Sequence, residues 1–183
     1  MDRSIGLIEL KSIPTGVETA DVMLKAANVD LIMARPTCPG KYVIIITGNV
    51  GAVKNSMSSG ISTAGYSLVN THIINNVDQS LPAAIMGTTD VDKISAIGAV
   101  ETISAITSVI AGDIAAKASN VKLIEIRIAN GLGGKGFLIF TGEVSAVKSA
   151  MKSIIAKLGQ EGEITSTTVI PAPHKNLIPH ILG

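Results

Sequence analysis

Apolar positions follow two different periods in the first half of the chain. Short runs of aliphatic and β-branched residues predict four strands, at about 5–10, 29–34, 42–47 and 72–77. Apolar residues spaced three and four apart predict helices between and after them, at about 17–27, at about 50–68 and from Ser80. This order of elements is the split-βαβ, ferredoxin-like plan, an α+β fold in which helices cover one face of a sheet.

The whole pattern then occurs a second time. Residues 5–32 and 97–124 are identical at no fewer than 12 of 28 positions. Farther along, the segment Thr-Gly-x-Val-x-Ala-Val-Lys at 47–54 returns at 141–148. Two copies are too few for an open solenoid but suit a pseudo-symmetric tandem. We therefore predict two domains, at 1–88 and 93–183.

Composition adds an expectation of assembly. Of the 183 residues, 46% are hydrophobic and only 2% aromatic, and the mean hydropathy of +0.46 is high for a soluble protein. No apolar run reaches the 18 residues of a membrane helix. We therefore expect the excess apolar surface to lie in subunit interfaces rather than in a membrane.

Charge and cysteine content limit the partners and the compartment. The net charge is +1 and no cluster of Lys and Arg occurs, so nucleic-acid binding lacks its electrostatic basis. Charged residues near the start of the chain argue against a signal peptide. With one cysteine in addition, the sequence predicts the reducing cytosol as the location.

That single cysteine lies in a predicted turn, Thr37-Cys38-Pro39-Gly40-Lys41, between two apolar runs. Pro and Gly both favour tight turns, so the thiol is expected on a short loop. One thiol forms no internal disulfide and makes a poor metal site. If Cys38 carries chemistry, other copies of the chain must supply the remaining ligands. The alternative is an inert, packed thiol.

A glycine-rich segment, Gly131-Leu132-Gly133-Gly134-Lys135-Gly136, formally satisfies G-x-G-x-x-G. A dinucleotide site needs a helix directly afterwards, whose N-terminus binds the pyrophosphate. An apolar run typical of a strand follows instead. We therefore reject nucleotide binding and expect a flexible loop.

The remaining polar residues give little support to an enzyme. Glu9 and Glu101 occupy matching positions of the two copies, which favours a structural role over acid–base catalysis. His72, His174 and His180 lack the spacing of metal ligands. No arrangement typical of a hydrolase is present.

The repeated segments resemble a known family. The Gly-(Leu/Ala)-(Ile/Val)-Glu opening, the Asp-x-x-x-Lys helix end with its Asn-Val, and the Thr-Gly-x-Val-x-Ala-Val-Lys segment are similar to bacterial microcompartment shell domains. Val169-Ile170-Pro171 with Pro173-His174 resembles the closing motif of that family. The likeness covers nearly the whole chain twice, which implies the tandem-domain, trimer-forming class. The Cys-Pro-Gly-Lys loop is most similar to the T-type members of propanediol-utilisation microcompartments.

The resemblance implies a structural role in a cytoplasmic protein shell. In this family six domains form a flat hexagon, so a tandem chain would form a pseudo-hexameric homotrimer that assembles with other shell proteins. The loop after the second strand of each domain would line the central pore. Those loop residues are Thr37, Cys38, Pro39 and Gly40 in the first copy, and Asn130, Gly131, Leu132, Gly133 and Gly134 in the second.

The T-type likeness also implies a cofactor. Those members hold a 4Fe-4S cluster on the three-fold axis, with three cysteine ligands and a fourth ligand from outside the chain. Here Cys38 of each chain would be the metal ligand, with one cluster per trimer. The cluster would transfer electrons across the shell, with an enclosed or cytosolic redox enzyme as partner, or would be delivered to enclosed enzymes.

Lateral contacts between hexagons are implied for Lys25 and Lys117, which match the edge lysines of the family. The closing motif usually carries Arg between its prolines, whereas this chain has Ala172, and Asn76 in the first copy. Two alternatives remain open. One is a shell protein with a metabolite pore and no cluster, and the other is a ferredoxin-like regulatory pair that binds a small effector.

Overall fold

The computed structural model describes residues 3–91, 93–129 and 131–181. These residues form two units, each with its own sheet. The first unit contains the described residues up to Val77 together with those of 129–134. The second contains the described residues from Asp78 to Ile128 and from Lys135 onward.

The first unit has one four-stranded antiparallel sheet in the order β2-β3-β1-β4. Helices α1 and α2 pack on each other and on this sheet. The elements are β1 (Arg3–Leu10), α1 (Ile13–Ala26), β2 (Asp30–Thr37), β3 (Lys41–Asn49), α2 (Val50–Ala64) and β4 (Leu68–Ile74).

The second unit repeats the sheet in the order β6-β7-β5-β8. Its elements are α3 (Leu81–Met86), β5 (Ala96–Thr102), α4 (Ala105–Ala118), β6 (Val121–Ile128), β7 (Gly136–Gly142), α5 (Val144–Leu158), β8 (Ile164–Ile170) and α6 (Ile178–Ile181). Apart from α3 and α6, each element has a counterpart in the first unit. The predicted α+β fold with two ferredoxin-like domains is confirmed.

The core of the first unit is built from aliphatic and methionine side chains, as the composition requires. Alternate residues of β1 and β3, such as Ile8 and Ile44, pack against Met23 of α1 and Met57 of α2. Because side chains along a strand point to opposite faces, these residues lie on the helix-covered face of the sheet. Burial of this face accounts for most of the stability of such a sheet.

Helix α1 begins four residues before the predicted start. Ser12 is its N-cap, and the Ser12 hydroxyl accepts a hydrogen bond from the Thr15 amide. Pro14 lies in the first turn, where no intrahelical partner is needed for its missing amide. In α4, Ser104 and Thr107 form the same cap. The sequence prediction of a helix from about residue 17 therefore missed this first turn.

The prediction was also wrong at the end of α2. The helix ends at Ala64 rather than near residue 68, because Gly65 adopts a positive φ of 47° that stops the helix. A 3-10 turn follows, and β4 then begins at Leu68 instead of His72. The apolar residues after Gly65 therefore belong to the strand and not to the helix.

Helix α3 lies in the second unit, although it directly follows the last strand of the first copy. It packs on β6 and α4 and buries Leu81, Ala84 and Ile85. Just before it, the Asp78 amide donates to Oδ1 of Asp113 on α4 at 3.0 Å. The domain limits of 1–88 and 93–183 remain a prediction.

None of the helices among the described residues combines the length and apolarity that a membrane crossing needs.

Candidate functional site

The cysteine loop connects the ends of two paired strands. Thr37 ends β2, Lys41 begins β3, and the two residues lie opposite each other in the sheet. Thr37 is buried, whereas Cys38, Pro39 and Gly40 are exposed. Gly40 has a φ of 72°, a conformation that favours glycine and lets the chain reverse within three residues. The Cys38–Pro39 peptide is cis. The thiol is therefore exposed on a short loop, as predicted, and this loop lies at one end of the sheet.

The glycine-rich loop occupies the equivalent place after β6. Gly131, Gly133 and Gly134 all have positive φ values, of 70°, 61° and 93°. Ala129 also has a positive φ, of 52°, which is unusual for a residue with a Cβ. Leu132 is half-buried among them. Asn130, which the sequence also placed in this loop, lies outside the described residues.

The two loops contact each other within the first unit. The Cys38 amide donates a hydrogen bond to the Ala129 carbonyl at 3.2 Å. Gly134 lies so close to Pro39 that a Cβ on Gly134 would be 3.2 Å from Pro39 Cδ. A side chain larger than hydrogen at 134 would therefore push on the cysteine loop. The sequence indicated both loops but not this packing.

Behind the cysteine loop, Lys41 forms an ion pair with Glu9. Lys41 Nζ lies 3.0 Å from Glu9 Oε1, and Glu9 is fully buried. Glu9 Oε2 has no hydrogen-bond partner among the described residues. A buried carboxylate of this kind depends on its cation, because an unpaired buried charge is costly. The pair therefore fixes the start of β3 against β1.

The second copy repeats this ion pair in a more exposed setting. Lys135 Nζ lies 2.9 Å from Glu101 Oε1, and the Thr165 hydroxyl donates to the same oxygen at 2.6 Å. The hydrogen bond from Thr165, followed by that from Lys135, lowers the pKa of Glu101. Sequence reasoning favoured structural roles for both glutamates but missed their lysine partners. The matching positions of Glu and Lys in both copies were the available signal.

Metal-ligating side chains are dispersed over the described residues. In the described part of the chain, no three residues among His, Cys, Asp and Glu converge on one site. The sequence contains one cysteine, Cys38, and its thiol is free and exposed on the loop. A site with several thiolates would need several chains.

The predicted lateral lysines occupy equivalent places on equivalent helices. Lys25 on α1 pairs with Asp21 at 2.6 Å, and Lys117 on α4 pairs with Asp113 at 2.7 Å. Both pairs are i, i+4 with the acid first, which supports the helix. Lys25 remains largely exposed, whereas Lys117 is less so.

The segment that satisfies G-x-G-x-x-G leads directly into strand β7, which begins at Gly136. The predicted strand after this loop is therefore confirmed. Without a helix N-terminus to bind a pyrophosphate, the loop lacks the main element of a dinucleotide site.

The two units share one ferredoxin-like fold and place their loops at equivalent ends of their sheets. The chain belongs to the BMC domain family of bacterial microcompartment shell proteins, which matches residues 4–77 and 96–173. Members of this class are structural components of a protein shell and not enzymes. The resemblance seen in the sequence and the expected microcompartment location are confirmed at this level.

Individual relatives agree with a tandem arrangement. The bacterial microcompartment shell protein PduT of Citrobacter freundii is 41% identical over 177 residues, which cover 97% of this chain and 96% of the relative. The carboxysome assembly protein CcmO of Synechococcus elongatus is 31% identical, covering 96% of this chain and 67% of the relative. A crystal structure of a microcompartment protein from Desulfitobacterium hafniense is 42% identical. It matches with a TM-score of 0.93 over 98% of this chain and 99% of that one.

Proposed function

We propose that three copies of this chain close into a pseudo-hexagonal shell tile that holds one 4Fe-4S cluster on its axis through Cys38 of each copy. Membership of the shell family is established by the comparisons above, and it disfavours the regulatory-pair alternative. The proposal adds the trimer, the cluster and its ligands. Three kinds of observation support it, two for the ring and one for the cluster.

The first observation is an open sheet face in the second unit. Ala99, Glu101, Phe137 and Ile139 line a shallow groove of about 220 Å³ on the side of the sheet opposite Phe140 and the helix-facing residues. The matching residues of the first copy are fully buried, and they are Leu7, Glu9, Val43 and Ile45. The same surface is thus buried in one copy and open in the other. An apolar face of this kind is typical of an unfilled subunit interface.

The second observation is an open stripe on helix α1. Ile13, Val17 and Leu24 lie on one side of this helix, and Val17 exposes 55% of its surface. The counterparts of the first two on α4, Ala105 and Val109, are fully buried. The helix stripe is therefore open in the first unit and buried in the second, which is the reverse of the sheet face.

Together, the two surfaces favour a head-to-tail ring. Among the described residues, the second unit has an open sheet face and the first unit has an open helix stripe. Two different surfaces that join copies of one chain form a heterologous interface, which closes into a ring when the rotation allows. In the single chain, the sheet face and the helix stripe are each buried in only one unit. Closure of the ring would bury both surfaces in every unit. The number three follows from the family resemblance, in which six domains make the hexagon.

The third observation concerns Cys38 as a cluster ligand. Its thiol is exposed, its loop is braced by Gly134, and no other cysteine exists in the chain. Three-fold symmetry would bring three identical thiolates to one axis, and thiolates are the natural ligands of iron–sulfur clusters. The fourth ligand would come from outside the polypeptide. The residues present therefore fit such a cluster.

When bound, a 4Fe-4S cluster supplies one-electron transfer. The chain itself would hold the thiolates in place, through the buried Thr37 and the Lys41–Glu9 ion pair at the base of the loop. The exposed pore-loop residues, Pro39 and Gly40 in the first copy and Gly131 and Gly133 in the second, would surround the axis. A redox enzyme inside or outside the shell would exchange electrons with it.

Native mass spectrometry of anaerobically purified protein tests this proposal. We expect a trimer that carries the mass of one four-iron cluster, and Cys38→Ser is expected to give the same trimer without that mass. An iron-free wild-type trimer after reconstitution would instead favour the metabolite-pore alternative. Loss of the trimer in Cys38→Ser would mean that the residue is structural.

Lateral assembly is proposed for Lys25 and Lys117, whose positions match the edge lysines of the family. Replacing Lys25 with Ala is expected to prevent extended flat arrays, as seen by electron microscopy, while the trimer persists. Lys54→Ala, which removes an exposed lysine of α2, is the control of equal charge. Arrays that form equally well from Lys25→Ala protein would contradict this role.

A further inference from the structure

The last residues of the chain repeat the segment that contains α3. Residues 78–87 and 174–183 align at an offset of 96, the same offset that relates strands β4 and β8. Within this alignment Leu81 matches Leu177, and Ile85 matches Ile181. Two of the three apolar residues that α3 buries are therefore kept in the C-terminal segment, whereas Ala84 is matched by His180.

The two segments also share their local structure. The Leu81 amide donates to the Asp78 carbonyl at 3.2 Å, and the Leu177 amide donates to the His174 carbonyl at 2.8 Å. In addition, the Asp78 side chain accepts from the Ser80 amide, and His174 Nδ1 accepts from the Asn176 amide. The C-terminal segment thus already has the turn that precedes α3.

Burial separates the two segments. Helix α3 buries Leu81, Ala84 and Ile85 against β6 and α4. By contrast, α6 has no buried residue, and Leu177 exposes 40% of its surface. The shared turn and the matching Leu and Ile positions therefore have a docking surface in one copy and none in the other.

The matching surface in the first unit is correspondingly open. Strand β2 and helix α1 are the counterparts of β6 and α4. On β2, Leu31 exposes 43% of its surface, whereas its counterpart Leu123 is fully buried. On α1, Asp21 binds Lys25 as Asp113 binds Lys117, so its carboxylate matches the acceptor of the Asp78 amide.

Charge follows the same correspondence. Asp78, Ser80 and Lys122 line one groove in the second unit. The first unit has Asp30 in place of Lys122, and the C-terminal segment has Lys175 beside the counterpart of Asp78. At the offset of 96, Asp78 matches His174 and Lys175 matches Gln79, so the base of the segment lies one residue beyond the acid that it replaces. The exposed Asp30 on the surface and the exposed Lys175 on the segment nevertheless carry opposite charges. This complementarity favours the C-terminal segment of a second copy as the occupant.

We infer that residues 174–181 of each chain dock on the β2–α1 edge of the next chain in the ring, as the α3 segment docks on β6 and α4. The His174 amide would donate to Asp21, and Leu177 would pack where Leu81 packs on the second unit. This inference rests on the ring proposed above. It makes the C-terminal segment an exchanged element that links neighbouring chains.

The test measures the trimer dissociation constant of full-length variants by sedimentation velocity. Leu177→Asp is expected to weaken each chain–chain contact about tenfold or more, and so to raise the trimer dissociation constant, because burying a leucine contributes strongly to binding. Ile155→Asp is the matched control, since Ile155 is similarly exposed on α5 and its counterpart Ile61 is exposed too. Leu81→Asp changes the same packing inside one chain, so it is expected to lower the thermal unfolding midpoint instead.

The possible failures are distinguishable. In one outcome the wild-type chain is a trimer, and Leu177→Asp and Ile155→Asp have the same trimer dissociation constant. That result would overturn the docking of the C-terminal segment but not the ring. A wild-type chain that stays monomeric at all concentrations would refute the ring, and with it this docking.

Discussion

Replacement of Val17 with aspartate is expected to dissociate the ring while the chain stays folded. Val17 lies in the middle of the open α1 stripe and exposes 55% of its surface in the single chain. An aspartate is therefore readily solvated there as long as no second copy covers the helix. Only closure of the ring would bury its charge.

The magnitude follows from what closure buries. Covering the exposed half of a valine contributes about 1 kcal/mol, taken as half of the roughly 1.5–3 kcal/mol for a fully buried side chain. Burying an unpaired carboxylate costs several kcal/mol more, even after relaxation. A loss of at least about 3 kcal/mol per contact weakens each contact about 100-fold. Since a closed trimer has three such contacts, the ring is expected to be lost at micromolar concentration.

Sedimentation velocity and far-UV circular dichroism together measure the two expected effects. Val17→Asp should sediment as a monomer and retain the wild-type spectrum. Ile61→Asp places the same charge on α2, at a position that both copies leave exposed, and should remain trimeric. If Val17→Asp stays trimeric, or if both variants dissociate equally, the assignment of the α1 stripe to the interface is wrong.

Two further predictions concern the folded chain itself. Gly98→Ala places a methyl group into the rigid ring of Phe140 and is expected to cost about 1–3 kcal/mol, seen as a lower unfolding midpoint. Gly6→Ala should cost less, because its Cβ would meet a flexible methionine; equal losses would contradict this reasoning. Glu101 has a pKa below its ordinary value of about 4.5, so its bond to Thr165 stabilises the fold above that pH and is lost as the pH falls through the lowered pKa. Glu101→Gln is expected to make the unfolding midpoint less dependent on pH in the acid range. If the pH profile of the unfolding midpoint is unchanged, this contribution of Glu101 is excluded.

Much of the fold could be predicted because each local signal agreed with the repeat. Strand β1 and the turn at Cys38 were read from short apolar runs and turn residues, and the second copy confirmed each assignment independently. The errors lie where one residue type is compatible with two local structures. Pro14 is compatible with a turn and with the first turn of a helix, and only the Ser12 cap decides between them.

The placement of α3 could not be predicted from the pattern. A short apolar segment after β4 buries its side chains wherever a complementary surface exists, and propensity does not say in which unit. The alignment of Leu81 with Leu177 was visible in the sequence. The alignment indicates a docking surface only once the structure shows that one segment is buried and the other is exposed.

The site shows a similar division. The residue type and the turn were enough to predict an exposed Cys38, and the resemblance supplied the cluster. The contact between Pro39 and Gly134 and the ion pair of Lys41 with Glu9 depend on how distant segments meet. Such contacts become visible only in three dimensions.

The central claim is that one cluster is shared by Cys38 of three chains, and mixed trimers test it most directly. Wild-type and Cys38→Ser chains are dissociated, mixed in known proportions, reassembled and reconstituted anaerobically, and iron and sulfide are then measured. If three thiolates are required, the iron bound falls as the cube of the wild-type fraction, to about one eighth at an equal mixture. A linear fall, to about one half, would show that each chain binds iron alone and would contradict the account.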